Sequence, residues 1–521
     1  MSGEQEALKG PDLAAGVPSS AVPDGGMLLG HAQGKAVLVA RRGTELFAIS
    51  ATCTHYSGPL GEGLIVDETV RCPWHHACFS LRTGEALRAP ALNPVSCWEV
   101  SRKGDTIVVG RELAAHDGAT PVAGRASADS TVQTVVIVGA GAAGNAAAEM
   151  LRRDGFTGTI TMIGEDPSGP YDRPNLSKDY LAGSAPEEWL PLRGTEFYEK
   201  HKIELLTSMR VTAIDAKAKK ATLENGQSRA FDRLLLATGA TPIMLRIPGA
   251  ERAQVHYLRT LADSRAIIAA AENAHRAVVI GASFIGLEVA ASLRTRGLEV
   301  HVVAPDTVPL VKVFGPELGA HIKSIHEQHG VKFSLGESVI GIGADDVTLD
   351  DGQTITADLV VIGIGVRPNL DLAKEAGLAV DNGVTVNEYL ESSVPGIYAA
   401  GDIASFPYRT GGNIRVEHFV VAERQGQTAA RNMLGLREKF DAIPFFWSAH
   451  YDTAVSYVGH ASKWEEIVVG GDIAKGDATV AYRENGKAVA FATLGRDHAS
   501  LEAERGLELD DASALKKLTA K

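Results

Sequence analysis

One strand-turn-helix pattern occurs twice in this chain, and it limits the possible folds more than any other feature. The copies are Val135-Val-Ile-Val-Gly-Ala-Gly-Ala-Ala-Gly144 and Val278-Val-Ile-Gly-Ala-Ser-Phe-Ile-Gly286, about 140 residues apart. Each leads from a β-branched run through glycines into an Ala- and Leu-rich helical stretch, the sequence form of a parallel βαβ unit. Gly139, Gly141 and Gly144 let the chain turn, let a pyrophosphate approach the helix N-terminus and let the helix pack closely. Glu165, twenty-one residues beyond Gly144, stands where an acid can bind a ribose hydroxyl. The duplication therefore predicts two dinucleotide-binding α/β units.

At 521 residues the chain has room for about three or four domains of roughly 150 residues each. Residues 1–25, rich in Gly, Pro, Ala and acids, read as a flexible arm. Short β-branched runs at 36–40, 46–49 and 106–109 make residues 26–112 a small all-β domain. Residues 113–131 read as a linker. Beyond residue 439, alternating runs followed by a charged stretch predict a C-terminal sheet with a helical tail.

Fifty-one basic against 64 acidic residues leave a net charge of −13, which argues against nucleic acid or an anionic membrane surface as a partner. The four cysteines all lie in the first fifth of the chain, too few for a disulfide scaffold and consistent with a reducing, cytoplasmic setting. Acids near Met1 and the lack of an apolar run give no signal-peptide pattern. Residues 130–148 are uncharged and long enough on count to span a bilayer, but Gln133, Asn145 and spaced glycines mark them as strand, turn and helix.

The cysteines and histidines carry the sharpest chemistry. Cys53-Thr-His55 and Cys72-Pro-Trp-His75 each offer one thiolate and one imidazole from a loop. A Rieske [2Fe–2S] centre needs two cysteines on one iron and two histidines on the other, and the spacing resembles the Rieske family over roughly residues 25–110. A zinc ion held by the same four side chains is the alternative. His76 breaks the pattern and reads as an exposed histidine, and Cys78 and Cys97 as small buried apolar residues. Gly58, Trp74, Ala77 and Phe79 stand where high-potential Rieske proteins have extra cysteines and hydroxyls. Fewer hydrogen bonds to the cluster imply a potential around −150 mV, toward the low end of the Rieske range.

Two further segments, Leu235-Leu-Ala-Thr-Gly-Ala240 and Gly396-Ile-Tyr-Ala-Ala-Gly-Asp402, resemble flavin motifs of the pyridine nucleotide–disulfide reductase superfamily over about residues 132–440. The resemblance implies FAD at the first fingerprint, with Thr238, Gly239, Gly401 and Asp402 at the flavin and Asp402 on the ribityl chain. Pro170-Tyr-Asp-Arg-Pro-Asn-Leu-Ser-Lys178 stands where disulfide reductases keep their redox cysteines, and it contains none. Arg173 and Lys178 there resemble the oxygenase-coupled ferredoxin reductases and the apoptosis-inducing-factor-like flavoproteins. In those families the lysine matching Lys178 lies beside the flavin ring, paired with a glutamate matching Glu288. Gly281 and Gly286 then imply a site for NADH, with NADPH as the second choice. Ser283 replaces its middle glycine, Asp306 is the candidate ribose ligand, and Lys312 is near. Phe419 and Trp447 match family positions near the nicotinamide pocket and the flavin edge.

A Rieske domain ahead of such a reductase is similar to the Rieske-containing apoptosis-inducing-factor-like proteins over nearly the whole chain. The implied architecture is a small all-β Rieske domain (26–112), an FAD domain (132–247 and 368–438), an NAD(P)H domain (248–367) and an α+β C-terminal domain (439–521). The implied activity takes a hydride from NAD(P)H to FAD and single electrons to the cluster. From there electrons go to a protein acceptor such as an oxygenase, ferredoxin or cytochrome, with the chain a monomer or homodimer. Two alternatives stand beside it: a reductase for a separate ferredoxin, and an NADH-responsive signalling flavoprotein.

Overall fold

The computed structural model describes residues 8–114 and 131–520. They divide into two compact units. The first gathers the described residues before 115 with Glu149–Phe156 and Arg496–Leu518, and the second holds most of the rest.

In the first unit, Met27–Ala32, Lys35–Arg42 and Glu45–Ser50 form an antiparallel sheet, with apolar side chains such as Leu38, Ala40 and Ile49 buried. Gln33 and Gly34 both take positive φ at the first hairpin, the twist that matches flanking strands. A second sheet runs in chain order through Leu64–Val66, Thr69–Arg71, Cys78–Ser80 and Ala86–Arg88. The third corrects the expected arm, because Val17–Pro18 pairs with Thr106–Glu112. Leu13 and Val22 are fully buried and share a core with Val37, Val39, Trp98 and Ile107. Their spacing follows neither strand nor helix period, so periodicity cannot reveal them; what holds them is burial and the bond from Leu13 N to His31 O (2.8 Å). Residues 1–7 of that arm and 115–130 of the expected linker lie outside the described residues.

The second unit shows the duplication as geometry. One parallel sheet orders its strands Ile203–Leu206, Thr159–Ile163, Thr134–Val138, Arg233–Leu236, Ile397–Ala399. The other orders Lys332–Leu335, Glu299–Ala304, Arg276–Ile280, Leu359–Ile362, Val255–Tyr257. Four strands correspond in a 3-2-1-4 order, and in both copies a three-stranded antiparallel meander is inserted between the third and fourth. Only the outermost strand differs, drawn from after the unit in one copy and from before it in the other. The first strands end at Val138 and Ile280 and lie between the second and fourth strands, where the strand order reverses, the switch point at which such sheets bind ligands.

A five-stranded antiparallel sheet, Phe445–His450, Thr453–Gly459, Lys487–Leu494, Asp477–Glu484 and Glu466–Asp472 in spatial order, completes the second unit. The helices Asp497–Leu509 and Ala512–Lys517 belong to the first unit instead. Among the described residues, no helix is long and apolar enough to cross a membrane.

Candidate redox sites

The two Cys/His loops have the same construction. Cys53 and His55 follow the strand Glu45–Ser50, and Cys53 N closes its loop on Gly58 O at 2.9 Å. Cys72 and His75 join Thr69–Arg71 to Cys78–Ser80, and Cys72 N closes on Ala77 O at 2.8 Å. Both cysteines are buried in the domain core. The Cys53 thiol is hydrogen-bonded to the Cys72 sulfur, which raises the pKa of Cys53, as burial also does, and lowers that of Cys72 against the effect of burial. His55 Nδ1 lies 3.2 Å from His75 Nδ1, both rings are half-buried, and burial pulls His55 down to about 4. Tyr56 stacks on His55 with centroids 4.0 Å apart. Thiol thus faces thiol at the buried end and imidazole faces imidazole at the outer end, the sorting that a Rieske cluster requires of its ligands. A Cβ on Gly58 would stand 2.6 Å from Cys72 Sγ, so any side chain there would require Cys72 or its loop to shift.

His76 is a correction. It is fully buried rather than exposed, with Nδ1 3.1 Å from Glu504 Oε2 and Nε2 3.1 Å from Ser500 Oγ. A left-handed backbone (φ 59°) accompanies this placement, and its partners are more than 400 residues away in sequence. Cys78 is buried, whereas Cys97 is half-buried, its thiol pushed up to about 11 by burial.

In the second unit a cleft of about 1240 Å³ is lined by Gly139, Gly141, Glu165 and Arg173, and by Thr238, Gly239, Gly401 and Asp402 from the later motifs. Its size exceeds that of an ordinary small-molecule pocket, and a cradle is present. A Cβ on Gly141 would meet nothing closer than Arg173 Nη2 at 3.7 Å, so the backbone there is open to a pyrophosphate. Gly144 does not line the cleft; a Cβ on it would fall 2.0 Å from Gly139 O, which makes it the packing glycine beneath the turn. Thr238 and Asn369 exchange hydrogen bonds at 2.9 Å, joining the motif to the crossing strand Val366–Pro368 nearby. Asp402 accepts a 2.6 Å bond from Arg259, a partner with no sequence signal. Glu165 pairs with Arg210 at 3.1 Å, both largely exposed.

Lys178 and Glu288 meet in the cleft wall, Nζ to Oε2 at 2.9 Å. The carboxylate also accepts from Ser177 Oγ at 2.6 Å and Ser448 Oγ at 2.7 Å, partners missed in the sequence although Ser177 lies inside the lysine motif. Lys178 Nζ stands 5.9 Å from the centroid of Trp447, which also lines the cleft, as does Phe419. His418 contacts Phe446 at 4.5 Å, and burial lowers it to about 4.

The second fingerprint reaches that cleft only through Phe284 and Ile285; Gly281, Gly286 and Asp306 are not among its lining residues. A Cβ on Gly286 would lie 2.1 Å from Gly281 O, the same packing as at Gly144. Ser283 caps the helix Phe284–Thr295, its Oγ accepting from Gly286 N at 3.2 Å and donating to Gly363 O at 2.7 Å. Asp306 is ion-paired with Lys312 at 2.9 Å.

Residues 133–426 match the family model described as pyridine nucleotide-disulphide oxidoreductase, 15–99 the Rieske [2Fe-2S] domain and 445–519 the reductase C-terminal domain. The chain is 32% identical over 479 residues to apoptosis-inducing factor 3 of Mus musculus, covering 89% of this chain and 78% of that protein. It is 38% identical over 349 residues to rhodocoxin reductase of Rhodococcus erythropolis, covering 66% and 82%. Among solved structures, the covalent putidaredoxin reductase–putidaredoxin complex superposes with a TM-score of 0.72 at 34% identity, covering 74% of this chain and 95% of that one.

Proposed function

We propose, for a chain that belongs to the pyridine nucleotide-disulphide oxidoreductase family and carries a Rieske [2Fe–2S] domain, that electrons drawn from NAD(P)H leave by way of its own Rieske centre. The chain is an FAD-dependent NAD(P)H oxidoreductase of ferredoxin-reductase type that passes electrons to an acceptor partner. When bound, the flavin takes electrons as a pair and releases them singly, and the cluster carries one at a time. The observation that carries the internal route is the Cys-with-Cys, His-with-His sorting of Cys53, Cys72, His55 and His75 in the same chain as the flavin cleft.

In this reading residues 132–247 and 368–438 hold FAD and 248–367 hold NAD(P)H, NADH preferred. Gly139, Gly141 and Gly144 shape the pyrophosphate turn, with Arg173, Thr238, Gly239, Gly401 and Asp402 along the flavin and Glu165 at its ribose. Lys178 presents a cation to the ring, and Glu288 holds that ammonium in place. Trp447 and Phe419 wall the cleft against water. Gly281, Gly286 and Asp306 serve the nicotinamide dinucleotide. The acceptor is an oxygenase, ferredoxin or cytochrome, met by a cytoplasmic monomer or homodimer at the half-buried His55 and His75 edge.

Anaerobic titration with NADH, following flavin bleaching optically and the cluster by electron paramagnetic resonance, tests the route. A cluster signal that grows with added NADH supports it. Flavin bleaching with a silent, iron-loaded cluster refutes it in favour of a reductase for a separate ferredoxin.

A further inference from the structure

The turn that carries Cys72 and His75 is gripped on both flanks by one carboxylate. Arg71, immediately before Cys72, donates from Nη1 to Glu504 Oε2 at 3.1 Å, and His76, immediately after His75, places Nδ1 3.1 Å from the same oxygen. Ser500, one helical turn earlier on the helix Asp497–Leu509, meets His76 Nε2 at 3.1 Å. Glu508, one turn later, accepts from Arg71 Nη2 at 2.8 Å and Arg88 Nη1 at 3.1 Å. Ser500, Glu504 and Glu508 follow the i, i+4, i+8 spacing of a single helix face. Glu504 and His76 are fully buried, and the side chain of Arg71 is only 6% exposed.

A buried carboxylate is expensive unless paired, and Glu504 is paired with Arg71 and with Arg88, whose Nη2 is 3.5 Å from Glu504 Oε1. The left-handed backbone at His76 (φ 59°) suits a residue held by outside partners.

We propose that Glu504 is a positioning residue for the Rieske centre: it fixes the second ligand loop through Arg71 and His76 and places a fixed negative charge beside the cluster. The proposal rests on the Rieske assignment and is independent of the route by which electrons arrive or leave. A negative charge nearby disfavours addition of an electron, so its removal raises the midpoint potential.

The test is a redox titration of the full-length holoprotein with mediators, with the reduced-cluster paramagnetic resonance spectrum and iron content as readouts. Glu504→Gln retains shape and iron while removing the charge. It shifts the cluster's reduction equilibrium constant upward about tenfold, about 59 mV for one electron, and alters the g-values. Ser500→Ala loses one contact to His76 and leaves the potential near that of the parent, with a broadened spectrum. Glu502→Gln, at an exposed position of the same helix, changes neither. Potential and spectrum of Glu504→Gln coinciding with the parent, at equal iron content, overturn the proposal, as does an equal shift in Glu502→Gln. If Glu504→Gln itself loses iron, the Ser500→Ala spectrum decides: an unchanged line shape overturns the proposal.

Discussion

Two glycines three residues apart should fail in different ways when each gains one methyl. In Gly141→Ala the new Cβ meets only Arg173 Nη2, at 3.7 Å, an ordinary contact, so folding is expected to be unaffected. The methyl instead occupies the surface against which the FAD pyrophosphate must lie. Displacing the pyrophosphate from one helix N-terminal N–H forfeits a charge-assisted hydrogen bond, about 1.5–3 kcal/mol, or roughly a 10- to 150-fold loss of affinity. In Gly144→Ala the Cβ falls 2.0 Å from Gly139 O, and backbone must move to relieve it. Overpacking of that kind costs about 1–3 kcal/mol, so the folded protein itself is weakened. Apoprotein titration with FAD, followed by flavin fluorescence quenching, measures the first effect, and thermal unfolding of the apoprotein by circular dichroism measures the second. A Gly141→Ala protein that binds FAD within twofold of the parent, or a Gly144→Ala protein equal to it in stability, would refute the reasoning.

Lys178→Met and Glu288→Gln should each slow flavin reduction by NADH. In a double-mutant cycle on the stopped-flow rates the pair should be strongly non-additive, because Glu288 acts through Lys178 at 2.9 Å; additive effects would separate the two residues. Ser283→Ala removes a helix cap and should cost about 0.5–2 kcal/mol, whereas Ser283→Gly should cost only a few tenths; equal denaturation midpoints for the two would remove the cap from the account. His326 and His450 are fully buried, 3.1 Å apart, and burial pulls both down to about 3. Their folded pKa values lie below the unfolded value of about 6.5, so between those limits the unfolded chain binds more protons. The stability they contribute is present above about pH 6.5 and is lost as pH falls toward 3. Urea midpoints at several pH values should therefore drop below pH 6.5, and less steeply in His450→Gln; a parallel drop in that variant would place the acid sensitivity elsewhere.

Local chemistry was legible in the sequence, and long-range partnership was not. Cys53 with His55, and Cys72 with His75, can be read as pairs because each pair lies within two or three residues on one loop. The glycine fingerprints are equally local, since strand, turn and helix follow one another along the chain. His76 was misread because its environment is made by Glu504 and Ser500, and no spacing rule reaches 428 residues. Leu13, Val17 and Val22 were hidden among glycines and prolines, yet each found apolar neighbours in the β-domain. The bond that Asp402 accepts from Arg259 at 2.6 Å joins residues 143 apart, again beyond any local spacing.

The placement of the helix Asp497–Leu509 in the same compact unit as the first hundred residues also sets an order of events at the ribosome. About 390 residues separate Glu112 from Glu504, some 20–80 s of synthesis at typical rates. Throughout that interval the nascent Rieske strands lack the carboxylate that ties Arg71 to His76. A message cut short before residue 504 yields a chain in which Arg71 and His76 never meet that shared carboxylate.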